Sequence, residues 1–255
     1  MVIKNKSNRT QSNAITIITS SLLLMFVLGV FAEFVVRNKL ISWNDPVLTH
    51  TNIAQALPLF NAGIAAFVVI ILLDVLLAFA FYTLLRPAGR LIGVAMAVLR
   101  LLYVAIKGVA IVGLLLAGYI YALPIEAATP NNEALAVQAM HFLKMHHYGF
   151  AVALIFFGLH LVLLGTILLK WGGAAKWIAW LVVVAGVGYF TNSIVTMFPS
   201  SGSLVHNVII AIFIVPMSCA EIILGLHLWF NRNRLALSFT TNQSGLLRQP
   251  FSNPA

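Results

Sequence analysis

The chain contains six long runs of apolar residues, each long enough to cross a lipid bilayer as a helix. A bilayer core about 30 Å thick requires about 20 helical residues. Within that core each backbone amide must be satisfied inside its own segment, and a helix achieves this. The sequence therefore predicts an all-α integral membrane bundle of six transmembrane helices. The predicted spans are residues 14–34, 61–85, 91–121, 148–169, 177–198 and 206–230.

The composition is typical of the same class. Hydrophobic residues make up 61% of the chain and charged residues 8%, whereas a soluble domain carries about 25% charged residues. The 15 Lys and Arg residues outnumber the 6 Asp and Glu residues, but they are scattered between apolar runs rather than clustered as in a nucleic-acid binder. We therefore expect contact with a lipid bilayer and none with nucleic acid. The single cysteine, Cys219, excludes an intramolecular disulfide.

The distribution of positive charge predicts the orientation of the chain. Lys and Arg concentrate in the cytoplasmic loops of membrane proteins. With both termini inside, ten of the 15 basic residues fall on the cytoplasmic side and three fall in the outer segments. This predicts an N-in/C-in protein, with both termini on the cytoplasmic side of the membrane. Residues 1–13 are then a disordered cytoplasmic N-terminus, 14–230 the transmembrane domain, and 231–255 a disordered cytoplasmic tail.

Polar residues inside the apolar spans predict the position of a functional site. Asp74 stands alone in the middle of the second span, where a carboxylate is costly unless it is paired. At a helical rise of about 1.5 Å per residue, four ionisable residues from four spans reach one level near the midplane. They form the predicted buried polar site: Asp74, Arg100, His160 and Glu221. We expect Asp74 to pair with Arg100, which leaves Glu221 and His160 without a neutralising partner.

A second polar cluster is predicted near the outer surface. Its members are Glu33, Arg37, Lys107, His146 and His147. Glu33 and Arg37 are four residues apart and are suited to an ion pair on one helix face. A pair between Glu33 and Lys107 would join the first and third spans.

Two other patterns bear on the architecture. Asp45-Pro46 predicts the start of a short helix between the first two spans, because Asp caps helices and proline fits their first position. A polar stripe at i, i+3, i+4 and i+7 in the fifth span is more typical of helix packing than of a solute track. It consists of Tyr189, Asn192, Ser193 and Thr196. No span shows the interrupted helices of many secondary transporters.

Four stretches of the sequence together form a family pattern: GVFAEFVVRNKLI (29–41), LLDVLLAFAFYTLLRP (72–87), FFGLHLVLLG (156–165) and the segment with Pro216 and Glu221. In these stretches the chain resembles the bacterial six-helix membrane proteins grouped as domain of unknown function 4386. This resemblance covers about residues 15–230 and implies a six-helix bundle in a bacterial cytoplasmic (inner) membrane. The polar positions that match the family pattern are Glu33, Arg37, Asp74, Arg100, His160 and Glu221. The resemblance implies no reaction, ligand or cofactor.

Three functions remain open from the sequence. The first is proton-coupled transport or permeation of a small solute, with Glu221 and His160 titrating. The second is a membrane-embedded metal- or haem-binding enzyme, for which His160, Glu221 and Asp74 are the candidate metal ligands. The third is an accessory or sensing subunit whose buried charges fix helix packing. Its partner would be another membrane protein or a second copy of the chain.

Overall fold

The computed structural model describes residues 2–86, 89–123, 130–171, 174–198 and 202–246. These residues form helices joined by short connections, and they contain no strand. The α-helices in chain order are α1 Val2–Val30, α2 Asn38–Leu40, α3 Pro46–Gln55, α4 Leu57–Leu85, α5 Arg90–Tyr121, α6 Pro130–Trp171, α7 Lys176–Met197 and α8 Gly202–Leu246. A π-helical segment, Phe31–Arg37, joins α1 to α2.

Six stretches of the described chain are long and apolar enough to cross a membrane. The prediction of a six-span all-α bundle is therefore confirmed, and the chain is a multi-pass membrane protein. The stretches are Arg9–Leu40, Leu57–Leu85, Arg90–Tyr121, Glu133–Lys170, Lys176–Met197 and Leu204–Arg232. The side of the membrane on which the termini lie stays a prediction.

The six spans pack as a ring that follows chain order. α4 packs against α1 and α5, α6 packs against α5 and α7, and α8 packs against α7 and closes the ring on α1. α3 packs mainly against α6 and lies at one end of the bundle, which we call the α3 end. At the opposite, terminal end, the side chain of Gln11 donates to the carbonyl of Thr83 at 3.3 Å.

The short helix α3 begins where the sequence predicts. The Asp45 side chain accepts a hydrogen bond from the Leu48 amide at 2.9 Å, and Pro46 is the first helical residue. The Thr49 hydroxyl donates to the Ser42 carbonyl and accepts from the Ser42 amide, both at 2.9 Å. Together these bonds satisfy the helix start and hold α3 against the turn that precedes it.

Buried apolar residues form two clusters along the bundle. Because lipid chains are as apolar as these residues, close packing rather than removal from water stabilises the contacts. The cluster toward the terminal end includes Leu77, Phe81, Leu161, Leu224 and Leu228. The cluster toward the α3 end includes Val36, Phe60, Ile70, Ile111 and Leu143. Asp74 lies between the two clusters, since Ile70 and Leu77 flank it along α4.

Glycines allow α6 and α7 to approach closely. A Cβ atom on Gly158 would lie 2.6 Å from the carbonyl oxygen of Gly186, and one on Gly186 would lie 2.6 Å from the carbonyl oxygen of Gly158. A Cβ atom on Gly165 would lie 2.7 Å from the carbonyl oxygen of Ala179. Small residues at such contacts let two backbones touch. The contact at Gly158 fixes the turn of α6 that carries His160.

The described helices extend beyond the predicted spans. α1 begins at Val2 and α8 continues to Leu246, and the disorder expected for residues 1–13 and 231–255 stays a prediction. Propagating an existing helix is far less costly than nucleating one. Residues 1 and 247–255 lie outside the described residues. The first span is also not a uniform α-helix, because the Asn38 amide donates to the Glu33 carbonyl in the π-helical segment.

Replacing Gly158 by Ala should destabilise the bundle, because the backbone of α7 has to move away. We expect a loss of about 1–3 kcal/mol, as for other overpacked contacts. The matched control is Gly29→Ala in α1, where a Cβ atom meets nothing within 4 Å and the better helix propensity of Ala should cost nothing. Thermal unfolding in detergent can be followed through reaction of Cys219 with a thiol dye. Equal unfolding temperatures for the two variants would contradict the close contact.

Candidate functional site

Arg100 and Asp74 form a buried ion pair in the middle of the bundle. Arg100 Nε and Nη2 both donate to Asp74 Oδ1, at 3.0 and 2.7 Å. Both side chains are 0% exposed. The structure thus contains the expected pair between α4 and α5. Removing either charge would leave the other buried without its main partner.

The same guanidinium also reaches α6 and α8. Arg100 Nη1 lies 3.1 Å from His160 Nε2 and donates to Glu221 Oε1 at 3.4 Å. His160 Nδ1 lies 3.1 Å from the Met96 carbonyl oxygen; because a carbonyl only accepts, Nδ1 carries the proton and Nε2 accepts from Arg100. The expectation that Glu221 and His160 lack a partner is wrong. A guanidinium has five donors in a fork and serves all three acceptors.

Aromatic rings enclose this centre. The rings of Phe81 and Phe157 lie 5.6 and 5.5 Å from the Cζ atom of Arg100. Both rings also contact the imidazole of His160, at 5.6 and 6.4 Å. An aromatic face attracts a guanidinium, so these rings add to the stabilisation of the cation in a site without water contact.

Lys107 joins the network from α5. Its ammonium donates to the Tyr103 hydroxyl at 2.7 Å and lies 3.9 Å from Asp74 Oδ2. Each oxygen of Asp74 therefore faces a cation. With His160 neutral, the two carboxylates and the two cations of the network balance in formal charge. Such balance is what allows charged groups to remain inside a membrane bundle.

The expected pair between Glu33 and Lys107 is wrong. Both carboxylate oxygens of Glu33 lie 2.7 Å from Arg37 Nη1, while Lys107 faces Asp74 instead. The other predicted pair, Glu33 with Arg37, is present. The two residues are close in sequence and lie on one turn of the π-helical segment, whereas Lys107 belongs to a different span.

A cavity of about 520 Å³ adjoins the network. It lies among the six spans and the π-helical segment, and its lining includes Tyr103, Lys107 and Glu221. The side chain of Glu221 is 23% exposed, whereas Asp74 and Arg100 are 0% exposed. Glu221 therefore links the buried network to the cavity. Small-molecule sites in proteins have volumes of about 300–1,000 Å³, a range that includes this cavity.

The structure places most of the predicted outer cluster around the same cavity. The lining members are Glu33, Arg37, Lys107 and His147. His146 is separate from them and fully buried, with the rings of Phe67 and Phe150 at 5.4 and 5.9 Å. Neither ring nitrogen of His146 has a hydrogen-bond partner among the described residues. Although adjacent in sequence, the two histidines thus have different surroundings.

The polar stripe of α7 also lines the cavity. The sequence pattern favours a role of this stripe in helix packing. In the structure, all four of its residues line the cavity: Tyr189, Asn192, Ser193 and Thr196. The Tyr189 hydroxyl donates to the Met217 carbonyl at 2.9 Å. The side-chain oxygen of Asn192 is buried and has no hydrogen-bond partner in the described part of the chain. The spacing of the stripe reveals a shared helix face but not what that face contacts.

The arrangement does not favour a metal site at His160, Glu221 and Asp74. Among the residues that the structure describes, no three His, Cys, Asp or Glu side chains are placed to hold one metal ion. All three predicted ligands contact Arg100 instead. The guanidinium occupies the point where their side chains converge, and its charge would repel a metal cation there.

All residues of the buried network lie within the part of the chain that matches one protein family. The model of the family "Domain of unknown function (DUF4386)" matches residues 17–231. The chain belongs to this family. It is 30% identical over 130 residues to an uncharacterized protein of Archaeoglobus fulgidus, a match that covers 51% of this chain and 64% of that protein. The chain thus spans less than two thirds of the length of this relative.

The comparisons confirm the resemblance to the family that the sequence motifs indicated. The relative is archaeal, so the bacterial source stays a prediction. No solved structure matches the chain.

Removing both charges of the Arg100–Asp74 pair should be milder than removing one. Asp74→Asn or Arg100→Gln alone leaves a buried charge without its main partner, with an expected loss of about 3–5 kcal/mol. The double variant keeps the network neutral and should lose less than either single variant. Thermal unfolding in detergent measures the loss of stability in each variant. The control is Lys176→Gln, which removes an exposed charge. Losses that simply add would contradict the coupling.

Proposed function

We propose that the chain is a proton-coupled membrane transporter of a small solute. The cavity is the solute site, and Glu221 is the group that takes up and releases the proton. One observation carries this proposal: Glu221 belongs both to the cavity lining and to the buried network. Carboxylates inside membrane bundles commonly serve as proton relays in pumps and transporters.

The bond between Glu221 and Arg100 is suited to opening. It measures 3.4 Å, compared with 2.7 Å for the shortest bond from Arg100 to Asp74. A proton on Glu221 removes its negative charge and weakens this charge-assisted bond. Arg100 would keep Asp74 and His160 as partners, so the rest of the network would persist. Protonation would therefore loosen the attachment of α8 specifically.

α8 is also the span with the smallest buried fraction. In its most apolar window 17% of the residues are buried, against 33–50% in the other five spans. Few packing contacts have to be broken when such a helix moves. Support for a moving α8 thus comes from both its charge contact and its packing.

The cavity extends toward the α3 end of the bundle, and its lining also contacts the apolar cluster of the terminal end. The π-helical segment contributes to the cavity near the α3 end, whereas the apolar cluster around Leu77, Phe81 and Leu161 fills the bundle toward the terminal end. A site reached from one side and closed on the other is expected of one state in alternating access. We propose with it the N-in/C-in orientation, which places the α3 end outside the cytoplasmic membrane.

Thiol labelling of Ser218→Cys in a Cys219→Ser background tests this function. Ser218 lines the cavity one turn before Glu221. A membrane-impermeant reagent should reach the new cysteine in both right-side-out and inside-out vesicles, because a transporter exposes its site to each side in turn. The pH dependence of this two-sided labelling should disappear in Glu221→Gln. Val47→Cys on exposed α3 is the control that should react from one side alone.

Labelling of Ser218→Cys from one side at every pH would contradict transport. That outcome would favour the second candidate, an accessory or sensing subunit. The charge balance of the network supports this alternative, because a neutral buried network can be present for the sole purpose of setting helix register.

A further inference from the structure

We infer that the solute is a single-chain amphiphile with an anionic headgroup. The structure assigns the binding of the headgroup to Arg37 and Lys107. The alkyl chain of the solute would lie in the gap between α1 and α8. This inference names the solute class of the proposed transporter and therefore rests on that function.

Two aromatic residues of the cavity lining on the first span are exposed. α1 and α8 meet toward the terminal end, where the Thr19 hydroxyl donates to the Gly225 carbonyl at 3.3 Å. Toward the α3 end, the π-helical segment packs against α4 and α8 packs against α7. Phe26 and Phe34 line the cavity and are nevertheless 44% and 66% exposed. In a membrane, surface exposed at this depth faces lipid chains.

The apolar part of the cavity lining suits a hydrocarbon chain. It includes Leu22, Met25, Val30, Phe67, Ile70 and Ile222. A purely polar solute would lose its hydration against these side chains without gaining hydrogen bonds, which is costly. An alkyl chain contacts them without that loss and continues into the surrounding lipid.

Two cationic side chains of the lining, Arg37 and Lys107, have donors left for an anionic solute. Arg37 is 8% exposed, and its Nε is buried with no hydrogen-bond partner in the described part of the chain. The Lys107 ammonium forms its hydrogen bond with Tyr103, and an ammonium has three donors. The carboxylates of the lining are already paired, Glu33 with Arg37 and Glu221 with the network. Spare cationic donors bind carboxylate or phosphate through charge-assisted bonds.

The cavity lining includes Trp43, an aromatic residue of the type found at membrane interfaces. The Trp43 ring lies 5.8 Å from the Arg37 Cζ atom and 5.2 Å from the His147 ring. Indole rings favour the headgroup level of a bilayer. An anionic headgroup at Arg37 would therefore stay at the depth of lipid headgroups, with its chain parallel to the lipid chains.

Binding of four probes that differ in headgroup but share a similar alkyl chain separates the headgroup classes. Decyl phosphate, decanoate, decyltrimethylammonium and decyl maltoside are titrated against the protein in lipid nanodiscs, and bound probe is counted by native mass spectrometry. At least one anionic probe should bind about tenfold or more tightly than the cationic and neutral probes. The ratio between decyl phosphate and decanoate identifies the preferred anion.

A charge-neutral double variant tests the assigned headgroup position. Glu33→Gln with Arg37→Gln removes the pair without changing the net charge, and it should weaken the anionic probe about tenfold. Arg37→Lys, with Glu33 intact, should retain more of the affinity. The control Lys39→Gln removes a nearby exposed charge that is outside the lining, and it should leave binding unchanged.

Three results would overturn the inference: no binding of an anionic probe, equal binding of the cationic probe, or an equal loss in Lys39→Gln. Anion binding together with one-sided labelling of Ser218→Cys would retain the ligand class and remove transport. Two-sided labelling without anion preference would retain transport and remove the ligand class.

Discussion

The rest of the bundle depends on a single buried guanidinium. Arg100 binds acceptors from α4, α6 and α8, and two of them, Asp74 and His160, lie where water cannot replace a lost partner. An uncompensated cation in such a place costs several kcal/mol, so each acceptor must face it. That requirement sets the rotation of three helices about their own axes. The glycine contact between α6 and α7 packs the turn of α6 that carries His160.

The network is not symmetric around its cation. On the α4 side, Asp74 accepts two bonds, is fully buried and also faces Lys107. On the α8 side, Glu221 accepts one longer bond and is partly open to the cavity. Strong interactions therefore hold the fully buried side of the network, and the weaker contact borders the cavity in which a solute would bind. The proposed proton coupling follows from this asymmetry.

Prediction from sequence succeeds for properties that one helix has by itself. Apolar length predicts the six spans, the Asp45-Pro46 pair predicts the start of α3, and helical rise places Asp74, Arg100 and Glu221 at one level. It fails where the answer depends on which way a neighbouring helix faces. Depth along the spans predicts a pair between Lys107 and Glu33, because both lie toward the same end. In the bundle, Lys107 faces Asp74 instead.

The sequence by itself determined that this protein is a six-span membrane bundle with a layer of ionisable residues across its middle. The family match adds membership of DUF4386. Only the tertiary structure decided that Arg100 stands at the centre of that layer, that Glu221 opens to a cavity and that the α7 stripe lines it. The physical reason is that span length and depth are local properties of one chain segment. Helix rotation and close approach arise only when all six helices pack together.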